Sequence, residues 1–215
     1  MPLPMVHLAV AVQLAAQHAQ FPSPAFLLGS IAPDAIHMRQ DAGYDDKQRT
    51  HLDQLADTDH RQLQTLLAER LMLPDSEAAF AAGYAAHLLT DRLWLQQVTP
   101  AFGLQVDGLD PAERRKVYYT DTDQVDFNLY HRSGWRSEVW QGLTVANALD
   151  FPPLLSGGEI DGWRVRTLRW FEDGSHEPGV TPRYLTDALV RDFIEQATAY
   201  VGMYFTAWQI DHHYL

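Results

Sequence analysis

The chain has 215 residues, of which 46% are hydrophobic and 20% are charged. This composition is typical of a folded domain with a sizeable core and excludes a disordered chain. The formal net charge of -12 argues against bulk nucleic-acid binding, because an acidic surface repels phosphate backbones. The chain has no cysteine, so a zinc site would use carboxylates and some of the 10 histidines.

The N-terminal stretch lacks a basic segment, and His7 interrupts its apolar run, which argues against a signal peptide. No apolar run reaches the length of about 18–20 residues that a transmembrane helix needs. We therefore expect a cytoplasmic protein without a transmembrane segment. The sequence leaves the oligomeric state open.

Apolar residues that recur at spacings of three and four predict an all-α fold, a multi-helix bundle in one domain over residues 1–215. Residues 40–46 and 99–110 are predicted loops, and a Gly/Pro-rich stretch at about 151–181 is predicted to be less regular. The predicted helices cover residues 4–20, 24–39, 47–72, 76–97, 111–130, 134–149 and 182–208.

The helix predicted over 76–97 carries His87 and Asp91, which are four residues apart and therefore share one helix face. One turn of helix can direct both side chains at a zinc ion, whose nitrogen and oxygen ligands lie at about 2.0–2.2 Å. The flanking residues are apolar, so the pair should point inward, and a metal would compensate the buried carboxylate. A simple His–Asp hydrogen bond is the alternative, because this spacing alone is a weak signal.

Three earlier residues could join this pair. His7 lies on the apolar N-terminal helix, Asp34 follows Pro33, and His51 lies in a charged segment. Taken singly, they are more simply interpreted as a core histidine, a helix cap and a solvated turn. Their occurrence in this order points to a shared metal site.

The order resembles the zinc-dependent phospholipase C family. The residues that carry the resemblance are, in chain order, His7, a G-x-x-x-P-D segment at residues 29–34, His51, and a G-Y-x-x-H-x-x-x-D segment at residues 83–91. The resemblance covers roughly the first 95 residues. It implies the all-helical fold that this family shares with a group of single-strand nucleases that have a similar metal centre.

Carried over position by position, the resemblance implies that one zinc ion is bound by Asp34, His51, His87 and Asp91. His7 would bind a second ion, with Asp91 as the bridging carboxylate, and Asp34 and His51 are the expected catalytic residues. One or two zinc ions, or other divalent metals, would activate a water that attacks phosphorus. The substrate would be a small phosphate ester, either a monoester or a diester, or a phospholipid head group.

The sequence departs from the family pattern after residue 91. Family members have a histidine soon after this point and then an H-x-x-x-E pair, whereas residues 92–97 contain no histidine and no such pair follows. A third zinc ion is therefore not expected, and activity on phospholipids does not follow from the resemblance.

Other acidic residues and a histidine could complete the site. Asp123 and Asp126 are three residues apart on the helix predicted over 111–130, where they could add a ligand or orient a histidine. His37, three residues after Asp34, could reach the metal or orient a phosphate. The ordinary interpretation of the two aspartates is an exposed acidic face.

Two other functions remain open. A helical phosphohydrolase that uses an adjacent His-Asp pair is less favoured, because the chain contains only the reverse order, at residues 59–60 and 211–212. The non-enzyme alternative is a catalytically silent helical domain whose structural metal site serves a binding module.

Overall fold

The computed structural model describes residues 3–52 and 59–215, which form an all-α fold. Apart from one isolated antiparallel bridge between Phe151 and Leu155, the described part of the chain contains no β-structure. The α-helices are α1 (Pro4–Ala16), α2 (Pro24–Gly29), α3 (Tyr44–Thr50), α4 (Arg61–Arg70), α5 (Asp75–Gln105), α6 (Pro111–Arg132), α7 (Arg136–Val145), α8 (Gly157–Glu172) and α9 (Asp187–Ala207). The 3-10 helices are Ala32–Met38, Gly174–His176 and His212–Tyr214.

Helix α5 lies at the centre of this fold. Every residue from Ala78 to Trp94 is buried, and α1, α2, α4 and α9 pack against the helix. Helices α2 and α5 cross at Gly29 and Gly83, where a Cβ on either glycine would lie 2.1 Å from a backbone oxygen of the other helix. Only glycine permits this approach, which fixes α2 against α5 by backbone contact.

The single helix predicted over 47–72 is wrong, because α3 and α4 are separate helices. Leu52 and His60 have positive φ angles of 50° and 55°, which a continuous right-handed helix does not allow. Leu55, which contributed to the predicted pattern, lies outside the described residues. The break leaves His51 at the C-cap of α3.

The loop predicted at 99–110 is also wrong over its first half, because α5 continues through Pro100 to Gln105. A proline inside a helix leaves the carbonyl four residues earlier without its hydrogen bond. That carbonyl belongs to Gln96, and both residues are exposed, so water can satisfy the oxygen.

The stretch at about 151–181 is more regular than predicted, since it contains the four-turn helix α8. Ser156 and Glu159 form a capping box at its start, and this Ser-x-x-Glu signal was present in the sequence. The buried residues of α8 recur at helical spacing: Ile160, Trp163, Thr167 and Phe171.

The remaining helices agree with the predictions to within a few residues, with one change of type. The segment predicted over 24–39 begins as α2 and continues as the 3-10 helix Ala32–Met38, which carries Asp34 in its first turn. Among the described residues, no helix is both long enough and apolar enough to cross a membrane.

Candidate metal centre

The five predicted ligands come from four separate elements of the fold. His7 lies on α1, Asp34 on the first 3-10 helix, and His51 directly after α3, while His87 and Asp91 are one turn apart on α5. The crossing of α2 and α5 brings the 3-10 helix beside the central helix. The structure thereby brings all five side chains into one cluster.

The carboxylate of Asp91 is fully buried and lies among three imidazole rings. Its Oδ1 atom lies 3.5 Å from Nε2 of His7. Its Oδ2 atom lies 3.5 Å from Nε2 of His51 and 3.6 Å from Nε2 of His87. Oδ1 of Asp34 lies 3.6 Å from the same His51 nitrogen, so the cluster is continuous.

Two overlapping groups of three residues could each hold a metal ion. One group is His7, His87 and Asp91, and the other is Asp34, His51 and His87. Within each group, the donor atoms all lie within 4.8 Å of one another. His87 therefore belongs to both groups.

The distances between these donor atoms suit ligands of a shared zinc ion better than they suit hydrogen bonds between the side chains. The distances of 3.5–3.6 Å exceed the usual hydrogen-bond range of about 2.7–3.2 Å. They match the spacing of about 3.3–3.6 Å between tetrahedral ligands that each lie about 2.0–2.2 Å from zinc. The buried side-chain atoms without a hydrogen-bond partner among the described residues include His7 Nδ1 and Nε2, His51 Nε2, His87 Nε2, and Asp91 Oδ1 and Oδ2. Because unpartnered buried polar atoms are costly, this set is unfavourable unless a cation compensates it.

Backbone carbonyls orient two of the imidazole rings. Nδ1–H of His87 donates to the carbonyl oxygen of Ser30 at 2.9 Å. Nδ1–H of His51 donates to the carbonyl oxygen of Lys47 at 3.0 Å, and Thr50 Oγ1 lies 3.1 Å from the same nitrogen. Because a carbonyl can only accept, each ring carries its proton on Nδ1 and turns an Nε2 lone pair toward Asp91.

The protonation states also suit cation binding. Burial, helped by neighbouring His87, lowers the pKa of His7 to about 3, so its imidazole is neutral. Burial acts to raise the pKa of Asp91, but the adjacent His87 and His7 hold it below its usual range. Burial likewise acts to lower the pKa of His87, but Asp91 raises it above the ordinary value. A proton on His87 and a divalent ion are therefore alternative ways to balance the buried carboxylate.

The other candidates lie outside the two groups. His37 Nε2 is 3.8 Å from Oδ1 of Asp34, but the side chain is half-exposed. Asp126 is buried on α6, where its Oδ2 accepts a hydrogen bond of 3.2 Å from the backbone N–H of Met5 at the start of α1. No oxygen of Asp123 belongs to either group.

Sequence reasoning missed Lys47, which lies on the exposed side of the cluster. Its Nζ is 3.5 Å from Oδ1 of Asp34 and 3.4 Å from Nε2 of His37. Its position one helical turn before His51 was the available signal, because residues four apart share a helix face.

The comparisons with known proteins concern the part of the chain that contains this centre. Residues 1–94 match the zinc dependent phospholipase C family. The match confirms the resemblance that the sequence motifs carry, and the matched segment includes all five residues of the cluster. Together with the His/Asp groups, the match supports zinc as the cofactor. No curated protein and no solved structure matches the chain.

Proposed function

We propose that this chain is a metal-dependent hydrolase of phosphate esters whose catalytic centre is the His/Asp cluster. The observation that carries the proposal is the set of buried donor atoms that face one another without hydrogen bonds among the described residues. The zinc dependent phospholipase C match over residues 1–94 supports the same chemistry, since the family name implies hydrolysis of a phosphodiester.

The two oxygens of Asp91 support its role as a bridging ligand. Oδ1 faces His7, whereas Oδ2 faces His51 and His87, so each oxygen of the carboxylate could serve a different ion. Asp34 would complete the second set through the oxygen that it turns toward His51. This arrangement favours two ions over one.

Zinc bound here would supply a Lewis acid for the phosphoryl oxygen and a water activated for attack on phosphorus. Asp34 would act on the solvent side, because its side chain is 14% exposed whereas that of Asp91 is fully buried. Burial acts to raise the pKa of Asp34, but His51 and neighbouring cations hold it well below its usual range. Its carboxylate is therefore ionised, which is the form that would bind a metal ion.

The whole chain would form the enzyme as one helical domain. Helix α9, near the C-terminal end, packs against α1 and α5, which carry three of the five ligands. The substrate would be a small phosphate ester or a phospholipid head group.

The second candidate is a catalytically silent domain in which the metal only stabilises the fold. The absence of the family's later ligands from the sequence favours it, as does the burial of His7, His87 and Asp91. With zinc bound, the first candidate should hydrolyse a phosphate ester, whereas the second should not.

The deciding experiment combines zinc analysis of tag-free protein with hydrolysis of chromogenic phosphate monoesters and diesters. Asp91→Asn, which preserves volume, should lose stoichiometric zinc and lower hydrolysis by more than about 100-fold, because losing even an outer-shell partner costs about 10–100-fold. Asp192→Asn, at an exposed carboxylate on α9, should retain both properties. Circular dichroism would confirm that both variants are helical.

Two results would contradict the proposal. Retention of stoichiometric zinc by a folded Asp91→Asn variant would show that the cluster is not the metal centre. If the wild-type protein binds zinc and a chelator lowers its melting temperature, but no ester is cleaved, the structural alternative is correct.

A further inference from the structure

A cavity of about 330 Å³ lies apart from the metal centre, and none of the five predicted ligands lines it. It is bordered by the start of α2, the connection from α4 to α5, the segment that follows α7, and the C-terminal 3-10 helix. Phe151 lines the cavity, and its ring centroid lies 4.8 Å from that of Tyr84. The Tyr84 hydroxyl donates to the carbonyl oxygen of Thr50. These two rings therefore lie between the cavity and the segment that carries His51.

The cavity is apolar in its interior and open to solvent at its edge. Its buried lining residues include Phe80 and Phe151. Leu73, Val145 and Leu149 also line it, although they are 36%, 67% and 45% exposed. Exposed apolar side chains that gather at one place indicate a binding site. The volume is at the lower end of the range of about 300–1,000 Å³ that is typical of small-molecule sites, so one ring with a short chain would fit.

The charged lining residues indicate which ionic group a ligand would carry. Three carboxylates line the cavity, those of Asp75, Glu77 and Asp150. Among the described residues, no arginine, lysine or histidine forms an ion pair with any of the three. The net charge of -12 on the whole chain adds to the negative potential at this edge. A positively charged group on the ligand would therefore be attracted.

The same edge does not suit an anion. Helix α5 begins beside the cavity, but Asp75 and Glu77 occupy its first turn, where they already balance the positive end of the helix dipole. Arg70 lines the cavity as well. Its guanidinium donates to the carbonyl oxygen of Pro152 and lies 4.8 Å from the ring centroid of Phe151. The charge of Arg70 is therefore engaged with the segment at 151–152.

We propose that this cavity binds a small amphipathic cation, with an aromatic or aliphatic body against Phe80 and Phe151 and an ammonium group at the three carboxylates. Burial of the body supplies most of the affinity, because exposed ion pairs contribute little. The carboxylates supply the selectivity for positive charge. The inference does not depend on the proposed function, since no predicted metal ligand lines the cavity.

The test uses three probes with the same body: 4-phenylbutylamine, 4-phenylbutanol and 4-phenylbutyrate. Binding is measured by calorimetric titration with a chelator present, so that neither the amine nor the carboxylate can bind a metal ion. The amine should bind about fivefold tighter than the alcohol, and the alcohol about fivefold tighter than the carboxylate, as expected for exposed charges. The preference for the amine should shrink between about 0.01 M and about 1 M salt, because the Debye length falls from about 30 Å to about 3 Å.

A matched pair of double variants tests the carboxylates. Asp75→Asn combined with Glu77→Gln removes two negative charges at the cavity, and it should weaken binding of the amine by about fivefold while changing binding of the alcohol little. Asp192→Asn combined with Glu195→Gln makes the same change in net charge at exposed positions on α9. This control should bind all three probes as the wild-type protein does. Circular dichroism would confirm that both variants are helical.

A second pair tests the apolar body of the ligand. Leu149→Asn replaces a half-exposed lining residue, and it should weaken binding of all three probes by about fivefold. Leu104→Asn changes a leucine that is 83% exposed near the end of α5 and does not line the cavity, so it should have no effect.

Four results would overturn the proposal. Equal affinities of the wild-type protein for the three probes would show that the carboxylates do not select a cation. Tightest binding of 4-phenylbutyrate would assign Arg70 to an anion. Unchanged binding of the amine by the Asp75/Glu77 double variant, or of all probes by Leu149→Asn, would place the ligand elsewhere. Failure to cleave any ester would contradict the proposed function alone and leave this test intact.

Discussion

Two regions of the molecule meet at the metal centre, and they are built differently. The crossing of α2 and α5 is a backbone contact, in which Gly29 and Gly83 leave no space for a Cβ. The contact between α8 and the 3-10 helix is made by side chains, chiefly Met38 and Arg39. The first contact is rigid, because neither backbone can move without the other. The second contact can be altered by substituting a few side chains, without moving either backbone.

The two regions also differ in the chemical groups that they present. The α2–α5 region lies within the segment that matches zinc dependent phospholipase C, and it holds buried donor atoms that suit a metal. Helix α8 lies outside that segment and presents exposed Arg166 and Arg169 beside tryptophans. The buried donor atoms therefore lie beside the α2–α5 crossing, whereas α8 contributes exposed charged and aromatic side chains.

The largest effect should come from Gly83→Ala, which tests whether the α2–α5 crossing supports the metal centre. The new Cβ would lie 2.1 Å from the Phe26 carbonyl oxygen and 2.9 Å from Ser30 N, so α2 must move. Overpacking against backbone should cost about 3 kcal/mol and lower the melting temperature by about 6–12 °C. Displacing Ser30 would also release His87 Nδ1, so zinc affinity should fall by about 10–100-fold. Scanning calorimetry and zinc titration measure the two losses.

The matched substitution in the other region is Gly158→Ala on α8, where a Cβ would meet no atom within 4 Å. It should leave zinc affinity unchanged and raise stability by up to about 0.5–1 kcal/mol, since alanine is favoured over glycine in a helix. Equal losses in the two variants would contradict the distinction between a rigid and an adaptable region.

The sequence predicted the all-α fold, and the grouping of the five side chains was easier to predict than the bounds of several helices. His87 and Asp91 follow from helical spacing, and the motifs order His7, Asp34 and His51 with them. Spacing within one helix is a local property, and the motifs belong to a segment that matches a known family. Whether these residues bind zinc stays a prediction that the experiments above address.

The errors in the fold have local causes that the sequence pattern hides. Leu52 and His60 have positive φ angles although neither is glycine, so no glycine in the sequence signals these two backbone positions. Pro100 signals the end of a helix, but its exposed position lets α5 continue. The contact between Arg39 and Glu159 could not be predicted, because it arises from the packing of α8 against a 3-10 helix that is distant in the chain.

The next prediction concerns the loss of stability at acidic pH, which should depend on the buried centre and not on the exposed face of α8. The pKa of His7 is about 3 in the folded protein and 6.5 as its ordinary value, so the unfolded chain binds the proton more readily. The stability due to neutral His7 is complete above pH 6.5 and falls as the pH decreases from 6.5 toward 3, by up to about 1.4 kcal/mol per pH unit. With zinc removed by a chelator, wild-type protein should lose about 2 kcal/mol between pH 6.5 and pH 4.5 that His7→Gln does not lose.

Urea unfolding at several pH values measures this difference, and the comparison uses slopes because His7→Gln also changes the baseline stability. His18→Gln, at an exposed histidine just after α1, should keep the wild-type slope. If the unfolding free energies of His7→Gln and wild-type protein change equally with pH, the fold does not hold the His7 imidazole neutral. The buried centre would then respond to pH no differently from the exposed surface.

The smallest effect should come from Asp126→Asn, which asks whether the matched segment depends on the rest of the chain. Asp126 lies on α6, beyond residue 94, and its Oδ2 accepts a hydrogen bond from Met5 N–H on the helix that carries His7. Burial raises its pKa well above the ordinary value of 3.8. The stability due to the protonated carboxyl is complete below pH 3.8 and is lost as the pH rises through the folded pKa.

Asparagine keeps the acceptor for Met5 N–H and has no proton to lose, so Asp126→Asn should be more stable than wild-type protein at pH 7. A gain of about 1 kcal/mol would raise the melting temperature by about 2–4 °C, and the gain should disappear near pH 4. Zinc content should stay unchanged, because no oxygen of Asp126 belongs to the two donor groups. The exposed Asp192→Asn variant should show neither change. Loss of zinc from a folded Asp126→Asn variant would instead make Asp126 a ligand, and the metal centre would then extend beyond the matched segment into α6.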